Sequence, residues 1–338
     1  MFEIGISHLR TLVFPGSDQS CALANKFGYD EWMISRFQQF IGDADEVEKF
    51  LETMEDRPPV QYLRANTLKI ESEILWERLR SKGFELERTF LPEVCMVRKK
   101  TLPVGATTEY LLGYYYIQDL SSCIAVQELQ ADYNHTTLDM AAAPGGKTTF
   151  IAQKMNNQGC IIALEPDSNR IPSLVFNMAR CGIMNTCVYM MSGNQIFDLN
   201  LKFDRVLLDA PCSGEGVIGK DPSRKTGRKP LDIESCALRQ ITLIECALRV
   251  LKPNGVLIYS TCSFAPEENE LVVDSVINKF QDDIDLEPVQ YGGSSGLSSF
   301  GKYAFHSSIK NTKRFYPHID NTLGFYIAKL RLKRDIQD

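Results

Sequence analysis

From about Tyr114 onward, short apolar segments alternate with amphipathic ones, and this alternation constrains the fold more than any other feature of the chain. Strands that are joined by helices usually lie parallel, because each helix carries the chain back across a face of the sheet. We therefore predict an α/β domain whose mostly parallel sheet is covered by helices on both faces. The predicted strands are Thr137–Met140, Cys160–Leu164, Thr186–Met190, Arg205–Leu208, Val256–Tyr259 and Phe325–Leu330. The predicted helices are Ser121–Leu129, Lys147–Met155, Asp167–Cys181, Asp232–Leu251 and Glu267–Lys279.

The N-terminal part of the chain has a different pattern. Apolar residues between Tyr29 and Glu55 recur with the period of two short helices. A compact α/β unit is predicted next, with one helix and three strands: Val60–Arg64, Ser72–Lys82 (the helix), Phe84–Thr89 and Val94–Lys99. We divide the chain into an N-terminal helical segment (1–56), a small α/β domain (57–110) and a larger α/β domain (111–338).

Composition narrows the class of protein. The 338 residues are 44% hydrophobic and 24% charged, as is ordinary for a globular protein, and no apolar run is long enough to span a membrane. Met1–Leu12 lacks the form of a signal peptide. The ten cysteines include no C-x-x-C pair and no Cys/His cluster with zinc spacing. We therefore expect free thiols, no bound metal and a cytoplasmic location.

Charge is distributed unevenly. The net charge of −6 argues weakly against a nucleic-acid binder, because such proteins are usually basic. Lys220–Lys229, however, holds five basic residues against one acid, Asp221, and three smaller basic clusters occur elsewhere: Arg98–Lys100, Lys310–Arg314 and Lys329–Arg334. Several such clusters on one face would form a track for phosphate groups.

Residues Asp139–Thr148 (Asp-Met-Ala-Ala-Ala-Pro-Gly-Gly-Lys-Thr) join a predicted strand to a helix and have the composition of a cofactor-binding turn. The turn is one residue short of a phosphate-binding P-loop, because Ala141 stands where the first Gly of that motif belongs. Glu165, at the end of the next strand, favours S-adenosylmethionine instead, since an acid at that point binds ribose hydroxyls. Lys147 is then suited to the carboxylate of this cofactor.

Two cysteines follow predicted strands in turns of small residues. Cys212 lies in Asp-Ala-Pro-Cys-Ser-Gly, and Cys262 lies in Ser-Thr-Cys-Ser. A thiolate that adds to carbon 6 of cytosine activates carbon 5 toward a methyl donor, after which the carbon-5 proton and the thiol must leave. The reaction needs a group that hydrogen-bonds ring nitrogen 3, a nucleophile and a group for product release. Residues of suitable types are present at Asp209, Cys212 and Cys262. Their sequence context alone does not decide which cysteine attacks.

These motifs resemble those of the Sun/Fmu (Nop/Nol/Sun) family of RNA cytosine-5 methyltransferases. The specific matches are Asp139–Thr148, Asp209–Gly216 and Ser260–Ser263. Weaker matches extend the resemblance over roughly Tyr29 to Leu330: Arg64–Thr67, Tyr116–Ser122 and Arg314–Phe325. The resemblance implies a Rossmann-like class I methyltransferase domain preceded by an RNA-recognition-like α/β domain.

The resemblance also assigns roles. The Pro-Cys cysteine attacks in DNA cytosine-5 methyltransferases, whereas the Thr-Cys cysteine attacks in the RNA family. This nominates Cys262 as the nucleophile, leaves product release to Cys212, and places Asp209 between the cofactor and ring nitrogen 3. Arg170 is expected to line the cofactor site. By the same resemblance, the residues that hold S-adenosylmethionine are Ala141, Ala142, Ala143, Pro144, Gly145, Gly146, Lys147, Glu165 and Asp209.

One position departs from the family pattern. Gly193 stands where an Asp is usual near the adenine, so we assign the adenine contact to Asn194. This departure bears on cofactor affinity more than on the reaction class. The expected partner is tRNA or rRNA, held near the active site by Lys220–Lys229, with Arg64 and Asn66 in a groove between domains. We expect a monomer. A different class of function, RNA binding or ribosome assembly with secondary or lost catalysis, is the alternative that Gly193 keeps open.

Overall fold

The structure, a computed structural model, describes residues 14–56 and 60–336, so the expectation for Met1–Leu12 falls outside the described residues. In chain order the helices are α1 (Asp18–Phe27), α2 (Glu31–Phe37), α3 (Ala44–Asp56), α4 (Ser72–Ser81), α5 (Thr108–Leu111), α6 (Leu120–Leu129), α7 (Gly146–Lys154), α8 (Ile171–Cys181), α9 (Pro230–Val250), α10 (Glu270–Phe280) and α11 (Pro317–Asp320). The strands are β1 (Gln61–Ala65), β2 (Glu85–Arg88), β3 (Val94–Lys99), β4 (Tyr115–Ile117), β5 (Thr136–Asp139), β6 (Cys160–Leu164), β7 (Thr186–Tyr189), β8 (Phe203–Asp209), β9 (Leu251–Thr261), β10 (Ile284–Glu287), β11 (Ser294–Ser295), β12 (Ser299–Phe300), β13 (Tyr303–Ala304), β14 (Lys313–Phe315) and β15 (Phe325–Leu332).

The chain forms two compact units, each built from separate stretches of sequence. Unit 1 comprises Met1–Pro59, Pro211–Ile244 and Ser260–Ala328, and unit 2 comprises Val60–Ala210, Glu245–Tyr259 and Lys329–Asp338. The predicted boundaries at 56 and 110 stay a prediction.

A large, mostly parallel sheet forms the centre of unit 2, as the alternation of strands and helices predicts. Its strands follow the order β15-β9-β8-β5-β6-β7. β5 lies parallel to β6 and to β8, and β6 lies parallel to β7. In this register Asp139 faces Ala163 on one side and Leu207 on the other. The strand ends that carry Asp139, Glu165 and Asp209 therefore meet at the carboxyl edge of the sheet, where open α/β sheets bind ligands.

Unit 2 also contains a smaller antiparallel sheet with the order β2-β3-β1-β4. Together with α4 and the short α5 it has the βαββαβ order of a ferredoxin-like fold. Leu63, Trp76 and Tyr115 are fully buried in its core. This confirms the smaller N-terminal α/β domain. The strand β4, which the sequence did not predict, closes this sheet.

Unit 1 contains the segments that carry the two cysteines. Its helices α1, α2 and α3 pack through an aromatic core in which Phe264 contacts Phe37 and Phe50, with ring centroids 6.4 and 5.0 Å apart. In the same unit β14 pairs antiparallel with β15 and with β11. Phe264 lies two residues after Cys262, so the N-terminal helices support the Cys262 loop.

Two helices begin later than predicted, for local reasons. α8 begins at Ile171 rather than Asp167, because Asp167 accepts hydrogen bonds from Arg170 N and Asn169 N and so forms a turn. α10 begins at Glu270 rather than Glu267, because residues 266–269 also form a turn. Within the described ranges, no helix is long and apolar enough to cross a membrane.

Candidate active site

The cofactor-like turn begins where β5 ends. Asp139 is buried, and its carboxylate accepts hydrogen bonds from Thr148 Oγ1 (2.7 Å) and from Ala141 N (3.4 Å). Burial raises the pKa of Asp139 to about 6, against the opposing effect of the Thr148 hydrogen bond. Asp139 thus ties both ends of the turn to the sheet.

The turn at the sheet edge is built from residues with small side chains or none. Ala142 and Ala143 are almost fully buried, and the Ala143–Pro144 peptide is cis. Gly145 has φ +102°, and a Cβ added there would lie 3.1 Å from Leu174 Cδ1. α7 begins at Gly146, so its first N–H groups point out of the turn. The turn therefore packs closely against α8, and the start of α7 presents the positive end of a helix dipole at the sheet edge.

Lys147 and Asp209 form an ion pair, with 2.6 Å between Nζ and Oδ2. Lys147 lies in the first turn of α7, and Asp209 is the last residue of β8. Their side chains are 15% and 30% exposed, so both groups can still reach a ligand. The structure thus joins two residues that the sequence assigned separately to the cofactor site.

Glu165 is held at the same sheet edge by a hydrogen bond to one carboxylate oxygen and an ion pair to the other. Its Oε1 accepts from Asp167 N at 3.0 Å. Its Oε2 is buried without a hydrogen bond, 3.3 Å from Arg170 Nη1. Arg170 also donates to Ala143 O at 2.5 Å, and therefore links Glu165 to the turn. An unsatisfied carboxylate oxygen beside a glycine turn fits the ribose hydroxyls of S-adenosylmethionine.

Asn194 lies after β7, in a short 3₁₀ helix that spans Gly193–Leu199. Its side chain is exposed and Gly193 is buried. The adenine contact assigned to Asn194 stays a prediction. Across residues 14–56 and 60–336, no group of three or more His, Cys, Asp or Glu side chains could hold a metal ion.

The two strand-end cysteines lie side by side in unit 1, with 3.2 Å between their Sγ atoms. Both residues are partly buried. Fifty residues separate them in the chain, so the distance reflects how their loops pack. Two thiols at this separation can act on the same small substrate, one as nucleophile and one in release.

Glycine backbone holds the cysteine loops against each other. Gly216 N donates to Cys262 O at 2.9 Å, and Gly324 N donates to Gly216 O at 3.0 Å. A Cβ on Gly216 would lie 2.2 Å from Gly324 O, so no larger residue fits without a shift of backbone. The sequence motif contained Gly216 but did not indicate this contact.

Part of the basic cluster Lys220–Lys229 has structural partners. Arg224 Nη1 donates to Ser213 O at 2.7 Å, directly beside Cys212. Lys225 donates to Phe27 O at 3.2 Å and pairs with Glu55. Lys220 and Lys229 are exposed. The cluster therefore supports the Cys212 loop with some residues and presents others to solvent.

Arg64 and Asn66 are buried inside unit 2, where they connect the small sheet to the larger one. Arg64 donates to Gly146 O (2.7 Å) in the first turn of α7. Asn66 donates to Gly113 O and to Cys181 O, both at 2.8 Å. The sequence assigned this pair to a groove between domains. Both side chains do contact residues of the larger predicted domain, but they are enclosed by protein and line no open groove, with Asn66 only 1% exposed.

Two family models match the chain. One, described as 16S rRNA methyltransferase RsmB/F, matches residues 126–331. The other, a ferredoxin-like domain of RsmF/B-like methyltransferases, matches residues 29–104. The chain belongs to the RsmB/F methyltransferase family. This confirms the predicted Sun/Fmu resemblance, and the first match contains every residue that the sequence assigned to catalysis or to the cofactor.

Curated relatives of this RsmB/F family member are named as rRNA methyltransferases. The 28S rRNA (cytosine-C(5))-methyltransferase of Mus musculus is 39% identical over 316 residues, which cover 91% of this chain and 39% of that protein. Ribosomal RNA small subunit methyltransferase F of Erwinia tasmaniensis is 36% identical over 310 residues, which cover 88% of this chain and 62% of that protein. The chain thus spans between two fifths and two thirds of the length of these relatives.

Solved structures share the whole fold of this RsmB/F family member. A methyltransferase homologue from Pyrococcus horikoshii is 37% identical with a TM-score of 0.85, and the match covers 93% of this chain and 99% of that one. NSun6 from Pyrococcus horikoshii, solved with SFG, an analogue of S-adenosylmethionine, is 27% identical with a TM-score of 0.77. That match covers 96% of this chain and 99% of NSun6.

Proposed function

We propose that this chain is an S-adenosylmethionine-dependent RNA methyltransferase that forms 5-methylcytosine in ribosomal RNA. The observation that carries the proposal is the pair of thiols, Cys212 and Cys262, whose sulfur atoms lie 3.2 Å apart. Membership of the RsmB/F family supports the reaction class. The names of the curated relatives favour rRNA over tRNA.

The proposed cofactor contacts follow from the geometry of the sheet edge. S-adenosylmethionine, when bound, supplies an electrophilic methyl group. We assign Glu165 Oε2 to its ribose hydroxyls, since this buried oxygen makes no hydrogen bond in the protein. The backbone of Ala141–Gly146 surrounds the ligand at the start of α7, and Lys147 binds its carboxylate. Arg170 orients Glu165 through the 3.3 Å ion pair.

The cysteines divide the covalent chemistry. Cys262, as thiolate, adds to carbon 6 of the target cytosine and so makes carbon 5 nucleophilic. Protonation of ring nitrogen 3 favours this addition, and the Asp209 carboxylate accepts a hydrogen bond from the protonated nitrogen and stabilises its positive charge. After methylation a base removes the carbon-5 proton, the ring double bond returns, and Cys262 leaves as thiolate. Cys212, 3.2 Å from Cys262, assists this elimination. The target base must leave its stack to reach the thiols.

Two cysteine variants test these roles. We expect Cys262→Ala to abolish transfer of labelled methyl groups to rRNA, because no adduct can form. We expect Cys212→Ala to accumulate a covalent protein–RNA adduct, visible as a slowly migrating band on a denaturing gel. Normal turnover by Cys262→Ala would refute the assignment of the nucleophile. A Cys212→Ala protein without the band would refute the release role.

The substrate and the cofactor are tested separately. We expect total RNA from cells without this gene to lose one methylated cytosine in rRNA, as seen by sequencing of cytosine methylation. A site lost from tRNA instead would change the substrate but not the reaction. Failure to bind S-adenosylmethionine in calorimetry would favour an RNA-binding or ribosome-assembly protein.

A further inference from the structure

Both cysteines are followed by a serine, and the hydroxyls of the two serines lie together. Ser213 Oγ and Ser263 Oγ are 3.0 Å apart, and both residues are buried. Each hydroxyl donates to the same atom, Oε2 of Glu268, with 2.5 Å between Ser263 Oγ and that oxygen. One carboxylate oxygen therefore joins the residue after Cys212 to the residue after Cys262.

The second oxygen of Glu268 binds the Cys212 loop again. Oε1 accepts from Ser213 N at 2.8 Å and from Gln240 Nε2 at 3.0 Å. Gln240, in α9, also donates to Pro211 O at 2.9 Å, so the residues on both sides of Cys212 are held. Hydrogen bonds to an ionised carboxylate are shorter and stronger than neutral ones.

Asn269, the next residue, holds the Cys262 loop in the same way. Its Oδ1 accepts from Thr261 Oγ1 at 2.6 Å, and its Nδ2 donates to Ser263 O at 2.9 Å. Thr261 and Ser263 flank Cys262. These contacts explain why residues 266–269 form a turn and why α10 begins only at Glu270.

Glu268 is fully buried, which is costly for a carboxylate. Burial raises the pKa of Glu268, while the hydrogen bonds from Ser213 and Ser263 act in the opposite direction. A hydrophobic residue would fill this volume without the desolvation cost, but it could not link three segments of the chain. The arrangement therefore favours geometric control of the loops over stability.

We propose that Glu268 is a positioning residue, which joins the Cys212 and Cys262 loops and thereby sets the separation of the two thiols. Both sulfurs must reach one base, one for attack and the other for release, and a shift of about 1 Å can cost on the order of 100-fold in rate. The catalytic consequence rests on the proposed function. The spacing of the thiols does not.

The spacing is measured without RNA or cofactor. Phenylarsine oxide condenses with two neighbouring thiols, forming two As–S bonds and releasing water. We expect wild-type protein to bind this arsenical through Cys212 and Cys262. The part of binding that is lost in Cys262→Ser is the part that depends on this pair of thiols. Glu268→Gln keeps the size of the side chain, but its amide nitrogen is a donor, so it cannot accept hydrogen bonds from both serine hydroxyls and also from Ser213 N and Gln240 Nε2. This variant should weaken that part of binding by about tenfold or more, since chelation depends on geometry.

Glu267→Gln is the matched control, because it neutralises an adjacent carboxylate that is also buried and lies 3.9 Å from Arg36 Nε. We expect its arsenical affinity to remain within about twofold of wild type. In methyl-transfer assays Glu268→Gln should lower kcat by about 100-fold with little change in KM for RNA. Ser263→Ala, which removes one of the two hydroxyl donors, should show a smaller loss.

Each outcome supports or refutes the proposal. Wild-type arsenical affinity and kcat in Glu268→Gln would overturn it, as would equal losses in Glu267→Gln. If Glu268→Gln does not fold, judged by thermal melting, Ser263→Ala decides the question. Unchanged arsenical affinity and unchanged kcat in this variant would refute the positioning role of Glu268. If wild-type protein transfers no methyl group but the arsenical results hold, the proposed function fails and the positioning role stands.

Discussion

Carboxylates at the sheet edge of unit 2 differ in their surroundings. Asp209 pairs with Lys147, and Glu165 lies beside Arg170. Asp139 has no cation within ion-pair distance among the described residues, and burial dominates its titration. Because a buried carboxyl without a close cation favours its protonated form, Asp139 should couple proton binding to stability.

This coupling has a definite sign. The pKa of Asp139 is raised from 3.8 to about 6 in the folded protein. The folded state binds this proton more tightly than the unfolded state does. The stabilisation from the bound proton is therefore fully present below pH 3.8 and is lost as pH rises through 6. We expect the difference in unfolding free energy between wild type and Asp139→Asn to fall by up to about 3 kcal/mol over this window.

Urea denaturation at a series of pH values measures this difference. Asp198→Asn, which changes an exposed carboxylate in the same unit, is the control. A difference that rises with pH, or stays constant between pH 4 and 7, would show that burial does not control the protonation of Asp139.

At the scale of elements, one arginine connects strand β1 of the small sheet to helix α7. The guanidinium of Arg64 donates to Gln118 Oε1 (2.6 Å), Gly146 O (2.7 Å) and Thr149 Oγ1 (3.0 Å). It also lies over the ring of Phe150, 4.7 Å from the centroid. The ferredoxin-like sheet therefore contributes directly to the position of the first turn of α7, where the proposed cofactor site begins.

Replacement of Arg64 should affect both stability and cofactor binding. We expect Arg64→Met to lower the unfolding free energy by about 3 kcal/mol, because buried acceptors lose charged donors. Affinity for S-adenosylmethionine should also fall, since Gly146 O is released. Arg98→Met is the control: Arg98 is an exposed residue of β3, and its ion pair with Glu87 lies in solvent, where such pairs contribute little to stability.

Denaturation and calorimetry separate the two effects. If Arg64→Met loses stability but binds the cofactor as wild type does, the arginine holds the sheets together without influence on α7. Equal losses in Arg98→Met would show that the effect is not specific to the buried contact.

At the scale of the whole molecule, an acidic chain is proposed to bind a polyanion. The net charge is −6, so attraction to RNA must come from local clusters. Within Lys220–Lys229, Arg224 and Lys225 contact the protein, whereas Lys220 and Lys229 are exposed. The exposed lysines are therefore the better candidates for phosphate contacts.

Salt dependence tests this assignment. We expect the Lys220→Gln/Lys229→Gln double variant to bind RNA more weakly regardless of sequence. The slope of log affinity against log salt concentration should fall in magnitude by about 1 to 2, as for the loss of two phosphate contacts. Fluorescence anisotropy with labelled rRNA fragments at several salt concentrations measures the slope. Lys279→Gln/Lys302→Gln is the control of equal charge, and an unchanged slope in the first variant would refute the assignment.

The amino-acid sequence by itself determined the features that depend on neighbours in the chain. Periodicity located the strands β5–β8 and most helices, and the turn Asp139–Thr148 followed from its composition. The predicted starts of α8 and α10 were wrong. Side chains such as Asp167 and Asn269 bind backbone or neighbouring side chains there and form turns ahead of the helices. The short strand β4 was missed, because its pairing with β1 depends on a distant partner.

Only the tertiary structure decided which distant residues meet. The sequence placed Cys212 and Cys262 at two strand ends, but the 3.2 Å between their sulfurs depends on loops fifty residues apart. Glu268 had no recognisable signal, because its role arises from hydrogen bonds to Ser213, 55 residues away. Local propensity acts over a few residues, whereas a buried hydrogen bond forms only when packing excludes water from both partners. The sequence therefore predicted which groups react, and packing determined how they are held.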